Sequence, residues 1–199
     1  MLALIGDVHG CIAPLREIVE LALKRTSVLV FLGDYINRGS DASAVVEHLA
    51  TLQNDARIET HFLAGNHDIE FQRVLQGEEV DTLLRMGGAP TIRSYVDHPY
   101  GDVGQQLRDA VPRLHRDFFS DLASTFEIDG LIASHTSPER LRAGRYAVSA
   151  HSPRHTSKPE IGPSAAFIDT GCGTLDNGRL TSLYWPSLEW DQSAVARFD

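Results

Sequence analysis

Three short clusters in the first third of the chain carry residue types suited to metal and phosphate chemistry. They are Gly6-Asp7-Val8-His9-Gly10, Gly33-Asp34-Tyr35-Ile36-Asn37-Arg38-Gly39 and Gly65-Asn66-His67-Asp68. In the first, Asp7 and His9 stand two positions apart. They can aim a carboxylate oxygen and an imidazole nitrogen at one cation, a donor pair that suits Mn, Fe or Zn. The flanking glycines let the backbone turn sharply and approach a ligand. In the second cluster, the Asp34 carboxylate can bridge two metals, and Arg38 supplies a planar donor fork matched to phosphate. In the third, Asn66 offers a neutral amide oxygen, which leaves His67 free to act as a general acid. Each cluster alone also has a plain reading. The first is a turn Asp beside a solvated His, the second a turn with a solvated Arg, and the third a helix-capping Asn before an exposed His.

The elements that must position these residues are legible around them. Leu2 to Ile5 and Val28 to Leu32 are short apolar runs that read as buried strands, and Ile58 to Ala64 reads as a third strand, each stopping at one of the clusters. Between them, Leu15, Ile18, Val19, Ala22 and Leu23 form a helical stripe, with Pro14 tolerated in the first turn. Val45, Val46, Leu49 and Leu52 form another, with Ser40 or Asp41 as N-cap. The pattern β-α-β-α-β predicts a parallel sheet with right-handed crossovers. Sites in such sheets gather beyond the carboxyl ends of the strands, so the three clusters are expected to converge.

Residues 67–125 read as mostly helical, a segment placed to act as a cap over the site. The predicted pieces are Ile69 to Leu75, Val80 to Leu84 closed by Gly87-Gly88, Thr91 to Val96, and stretches around Leu107 to Val111 and Leu114 to Leu122. Strands then return at Phe126 to Ile128, Leu131 to Ser134, Tyr146 to Ala150, Ala165 to Ile168 and Leu180 to Trp185, with Leu188 to Phe198 as a last candidate. Their shorter connections and mixed polarity predict a second, more antiparallel sheet.

Composition sets the outer limits. Hydrophobic residues make up 42% of the 199 positions and charged residues 23%, which suits a packed core in one domain spanning 1–199. A net charge of −9 without any Lys/Arg run argues against duplex nucleic acid or an anionic membrane as partner, while still attracting cations. Cys11 and Cys172 are too few for a disulfide framework and read as small buried residues. Met1 to Ile5 is too short for a signal peptide, and no apolar run approaches the ~18 residues of a membrane span. The expectation is a soluble cytoplasmic protein. Nothing in the sequence indicates an oligomeric state.

Taken in order, the three clusters resemble the signature of the calcineurin-like metallophosphoesterases: GD-x-HG, GD-x-x-DRG and GNH-D/E, separated each time by a strand–helix unit. Gly10-Cys11, Met86-Gly87-Gly88-Ala89-Pro90-Thr91, Ile161-Gly162-Pro163, Ile168-Asp169-Thr170-Gly171 and Gly178-Arg179-Leu180-Thr181 look like the small bacterial and phage serine/threonine protein-phosphatase-like branch. The resemblance implies an α/β (α+β) fold, a four-layer α-β-β-α sandwich of two mixed β-sheets flanked by helices. It also implies two divalent metal ions, Mn2+ foremost in vitro with Fe, Zn and Ni as alternatives, and a water bridging them that attacks phosphorus. By the same resemblance one metal takes Asp7, His9 and Asp34, and the other takes Asp34, Asn66, His135 and His151. Arg38 and Asn66 contact the substrate phosphate, and His67 protonates the leaving oxygen with Asn37 in support. His135 follows the strand Leu131 to Ser134, although Thr136-Ser137 stand where the family has a small residue and Gly. His151, in Ala150-His151-Ser152-Pro153, is preferred to His155 because it ends a strand and is followed by Pro. His48, His61, His98 and His115 read as surface or core polar residues.

Two departures from the family pattern bear on substrate. Asn37 stands where the pattern has Asp; it is expected to accept a hydrogen bond from the imidazole, bring no charge and leave imidazolium scarcer. His135 and His151 are separated by 16 positions (151 − 135), where the branch has a longer insert bringing a second phosphate-binding Arg. Arg140, Arg142, Arg145 and Arg154 are the nearby substitutes. The leading reading is a phosphomonoesterase acting on a phosphoprotein or small phosphoester. The alternative is a dinucleoside polyphosphate (Ap4A-type) hydrolase or phosphodiesterase. A third reading, from another class, is a non-catalytic binding protein on the same fold.

Overall fold

The computed structural model describes residues 1–137 and 144–196. Its first third follows from the apolar pattern. β1 (Leu2–Ile5), β2 (Val28–Phe31) and β3 (Glu59–Phe62) pair in parallel, with α1 (Ile12–Leu23) and α2 (Ala42–Gln53) between them. β1 and β2 are covered on both faces, so successive side chains enter different cores. Ala3, Ile5, Leu29 and Phe31 face a helical core with Leu15, Ile18, Val45 and Leu49. Leu2, Leu4, Val30 and Leu32 face a second core with Leu131, Ala133, Val148 and Ala166. The N-cap of α2 is Asp41, but its side chain makes no capping bond.

The helical block consists of α3 (Asn66–Leu75), α4 (Asp81–Arg85), α5 (Ala89–Tyr95), α6 (Val103–Ala110) and α7 (Arg113–Ser120). Its buried apolar residues, among them Phe71, Val74, Leu83, Leu107, Phe118 and Phe119, belong to the helical core. The chain then returns to the sheet where Ala123 bridges Leu63.

Beyond this block come β4 (Thr125–Ile128), β5 (Leu131–Ser134), β6 (Tyr146–Ser149), β7 (Glu160–Ile161), β8 (Ala165–Phe167), β9 (Thr181–Trp185) and β10 (Trp190–Gln192). The architecture is two mixed five-stranded sheets flanked by helices, ordered β10-β9-β1-β2-β3 and β4-β5-β6-β8-β7. The second sheet is mixed, as the family resemblance implies, but less antiparallel than its short connections suggested. Its centre, β5-β6-β8, is parallel, and only β4 and β7 run against it. β9 and β10 leave it altogether and extend the first sheet, β9 antiparallel to β1 and β10 antiparallel to β9. Strand composition does not reveal partner choice, and the connections leaving β5 and β6 are long enough to cross over. Leu188 to Phe198 yields only the three residues of β10 among those described. The two-residue β7 has no pattern to detect.

Candidate metal centre

The three clusters converge because the strands that end in them lie side by side. Gly33 and Gly65 set the distance between two of these ends. Gly33 has φ +104°, and a Cβ there would meet the Gly65 nitrogen at 2.4 Å; a Cβ at Gly65 would meet Asp34 Oδ1 at 2.0 Å. Asp68, one turn into α3, staples the loops from below. Its carboxylate accepts from the backbone N–H of Asp34 (2.7 Å), Tyr35 (3.0 Å) and Gly65 (2.9 Å).

Asp34 sits at the focus. Oδ1 accepts from the His67 backbone N–H at 3.1 Å, which leaves Oδ2 facing three imidazoles. Oδ2 lies 3.8 Å from His9 Nε2, 3.9 Å from His67 Nε2 and 3.4 Å from His135 Nε2. Two groups of donor atoms, each within 4.8 Å of one another, share this residue: His9, Asp34 and His67, and Asp34, His135 and His151. Asn66 Oδ1 joins the second group, 3.1 Å from His135 Nε2, and His151 Nδ1 lies 3.0 Å from the same nitrogen. His155 is exposed and belongs to neither group. Asp7 lies beside the pair rather than inside it, accepting from the His151 backbone N–H at 3.2 Å.

The donor chemistry fits divalent cations. His9 Nδ1 is 3.1 Å from the Ile36 carbonyl and His135 Nδ1 is 2.9 Å from that of Leu32. Each ring donates Nδ1–H outward and turns Nε2 toward the cluster, the arrangement that orients metal-binding histidines. Without a cation, burial lowers the His135 ring, but the hydrogen bond that its Nε2 donates to Asp34 Oδ2 outweighs this and holds it above its usual value; His151 Nδ1 and Asn66 Oδ1 crowd the same nitrogen, and a cation would take the place of its proton. Charge points the same way. Burial, then the neighbouring Asp169 and Asp34 carboxylates, push Asp7 well above the usual carboxylate range. Burial raises Asp34, but the His135 hydrogen bond and the surrounding imidazoles outweigh it and hold Asp34 low. Burial lowers His9 to about 4, so its ring is neutral and available near neutral pH.

The backbone is strained at the same place. His9, Asp34, Asn37, Arg38 and His151 all adopt positive φ, between +46° and +70°, a region that costs a side-chain-bearing residue roughly 1–2 kcal/mol. Arg38 is exposed next to the donors, with its backbone N–H held by the Gly87 carbonyl at 2.9 Å. Asn37 Nδ2 lies 2.8 Å from His67 Nδ1. That polarity is the reverse of the expected one: the amide donates to the ring. Of the candidate second arginines, Arg145 pairs with Glu127 and Arg154 with Glu160, while Arg140 and Arg142 fall outside the described residues.

Sequence reasoning gave no role to Asp68, Asp169 or Thr91. Asp68 had a signal, an acidic residue three positions after a helix N-cap. Asp169 and Thr91 stand in motifs that carry the family resemblance, but nothing local to either residue pointed to a role. His61 bonds Glu59, His98 is exposed beside Asp97, and His115 is buried in the helical block, none of them near the centre. Cys11 and Cys172 are buried and free.

The calcineurin-like phosphoesterase family profile matches residues 1–158. The chain belongs to that family. It is similar to the symmetrical bis(5'-nucleosyl)-tetraphosphatase of Edwardsiella ictaluri, 37% identical over 76 residues, which is 37% of this chain and 26% of that protein. The chain thus aligns with about a quarter of such relatives. It is also similar to the asymmetrical bis(5'-nucleosyl)-tetraphosphatase PrpE of Geobacillus thermodenitrificans, 25% identical over 230 aligned positions covering 93% of this chain and 90% of that one. A solved structure with a provisional diadenosine tetraphosphatase assignment superposes with TM-score 0.70 at 18% identity, over 98% of this chain and 93% of its own. A serine/threonine phosphatase from Saccharomyces cerevisiae gives 0.59 at 12%, over 100% and 81%. At these identities the two structures share its fold. None of the described helices is long and apolar enough to cross a membrane.

Proposed function

We propose that the protein is a metal-dependent hydrolase of dinucleoside polyphosphates, using Mn2+ or a similar divalent cation. The observation that carries the hydrolase reading is the pair of donor groups sharing Asp34 beside the exposed Arg38. His9 and Asp34, joined by the adjoining Asp7, would hold one cation, which leaves His67 of that donor group free for the substrate; Asp34, Asn66, His135 and His151 would hold the other. When bound, the cations supply charge neutralisation and a water acidic enough to attack phosphorus. Arg38 grips the non-bridging oxygens, and Asn66 steadies the phosphate at the N-terminus of α3. His67 faces the leaving oxygen. Full-length similarity to a tetraphosphatase favours a polyphosphate over the phosphomonoester that the serine/threonine-phosphatase-like resemblance suggests.

A substrate panel tests this. With Mn2+, diadenosine tetraphosphate should be turned over with a kcat/KM at least about tenfold above that for p-nitrophenyl phosphate, its bis-ester or a phosphoserine peptide. Dominant turnover of the phosphopeptide would return the assignment to a phosphomonoesterase. Turnover of none of them with Mn2+, Fe2+, Zn2+ or Ni2+ would leave a binding protein on this fold.

A further inference from the structure

The helical block meets the second cluster through the turn before α5 and through Thr91. The Asn37 backbone N–H donates to Thr91 Oγ1 at 2.8 Å, and Oγ1 lies 3.0 Å from Asn37 Oδ1. A backbone N–H can only donate, so the hydroxyl proton must go elsewhere, and Asn37 Oδ1 is the acceptor within reach. Turning the amide over would set two donors against one hydroxyl and strand its proton. The amide is thereby fixed, with Nδ2 donating to His67 Nδ1. His67 Nδ1 then carries no proton, and a neutral ring holds its proton on Nε2. Nε2 is the atom on the metal-donor side, 3.9 Å from Asp34 Oδ2. Asn37, Thr91 and His67 are all buried, so no water competes for these bonds.

We propose that Thr91 is a positioning residue which, through the Asn37 amide, sets the His67 ring with Nε2 rather than Nδ1 as its hydrogen-bond donor, and that the site therefore selects phosphoanhydrides over alkyl phosphates. The proposal rests on the hydrolase reading above. In the reaction, the oxygen of water forms the new bond to phosphorus and its proton passes to solvent. The bond to the leaving oxygen breaks, and that oxygen keeps the electron pair. His67 Nε2–H donates a hydrogen bond to it without surrendering the proton, because a ring whose Nδ1 faces a donor would be left as imidazolate. A nucleotide phosphate departs readily as an anion, whereas a serine alkoxide does not. An Asp at position 37 would accept from both Thr91 and His67 Nδ1–H and let the ring carry a proton to give.

Two measurements on the full chain test this. Histidine 15N NMR, on the Zn2+-loaded and the metal-free protein, should show His67 with Nδ1 unprotonated and Nε2 protonated. Thr91→Ser should keep that tautomer and Thr91→Val should lose it. A series of phosphate esters with Mn2+ should show kcat falling steeply as the leaving group becomes more basic. Asn37→Asp should flatten the series, raising alkyl relative to p-nitrophenyl phosphate turnover by about tenfold or more. A protonated Nδ1 in the wild-type ring, or an unchanged slope in Asn37→Asp, would overturn the proposal. The expected tautomer in a protein that turns over no phosphoester would overturn the hydrolase reading instead, while supporting the setting of the ring by Thr91.

Discussion

At the residue scale, one carboxylate has its two oxygens committed separately. Asp34 Oδ1 is tied to the start of α3 and Oδ2 faces three imidazoles. Asp7 and Asp169 lie close by, both raised first by burial. Such acids hold protons in the metal-free protein at a pH where free carboxylates do not, and a cation would expel them. Mn2+ binding should therefore release protons above the ordinary carboxylate value of 3.8. Its apparent affinity should rise with pH, since the proton competes for the carboxylate. His9, neutral above about 4, adds nothing there. Calorimetry in buffers of different ionisation enthalpy measures the release; a pH-independent affinity without proton release would contradict it. Strain at Arg38 gives a second prediction. Its φ of +69° suits glycine, so Arg38→Gly should be more stable than Arg38→Ala by about 1 kcal/mol. Both should lose about 10²–10³ in kcat/KM with the phosphate fork. Denaturant midpoints and kinetics on the pair separate the two effects.

At the element scale, the helical block is pinned to α2 by a polar chain across three helices. Tyr95 Oη on α5 lies 2.9 Å from His115 Nδ1 on α7, and His115 Nε2 lies 2.8 Å from Glu47 Oε2 on α2. His115→Leu would leave the buried tyrosine hydroxyl without its acceptor, at a cost of about 1–3 kcal/mol. Urea unfolding should show a lower midpoint with an unchanged slope; an unchanged midpoint would mean the chain carries no net stability. The helices were legible because their apolar stripes are long, as in α1 and α2. α4, read as Val80 to Leu84, lies one residue later at Asp81–Arg85, and β7 was invisible.

At the scale of the molecule, the donors come from both sheets. Asp7, Asp34 and Asn66 follow β1, β2 and β3, while His135 and His151 follow β5 and β6. The Ala150 N–H to His135 carbonyl bond, 2.9 Å, keeps the latter two loops in step. The sheets are held together by the core of Leu4, Val30, Leu32, Val148 and Ile168. A cation bound at their shared edge would stabilise the whole sandwich, because the unfolded chain has no such site. Mn2+ at about a hundred times its Kd should add about 2.7 kcal/mol, seen as a rise in Tm that a chelator reverses. His135→Ala should lose most of that rise; an equal rise would place the ions elsewhere.

The sequence by itself determined the parallel β-α-β-α-β unit and the residues at its strand ends, because long apolar stripes and glycine-flanked polar pairs are local signals. It also carried His135 and a preference for His151, through strand ends and a following proline. Only the tertiary structure decided which strands joined which sheet, since β9 and β10 read like members of the second sheet yet pair beside β1. Only the tertiary structure brought Asp68, Asp169 and Thr91 to the centre, because Asp68 reaches Asp34, 34 residues away, Thr91 reaches Asn37, 54 residues away, and Asp169 stands beside Asp7 near the other end of the chain. And it reversed the reading at Asn37. A side-chain amide has a donor end and an acceptor end, and which end meets His67 was settled by Thr91, 54 residues further along the chain.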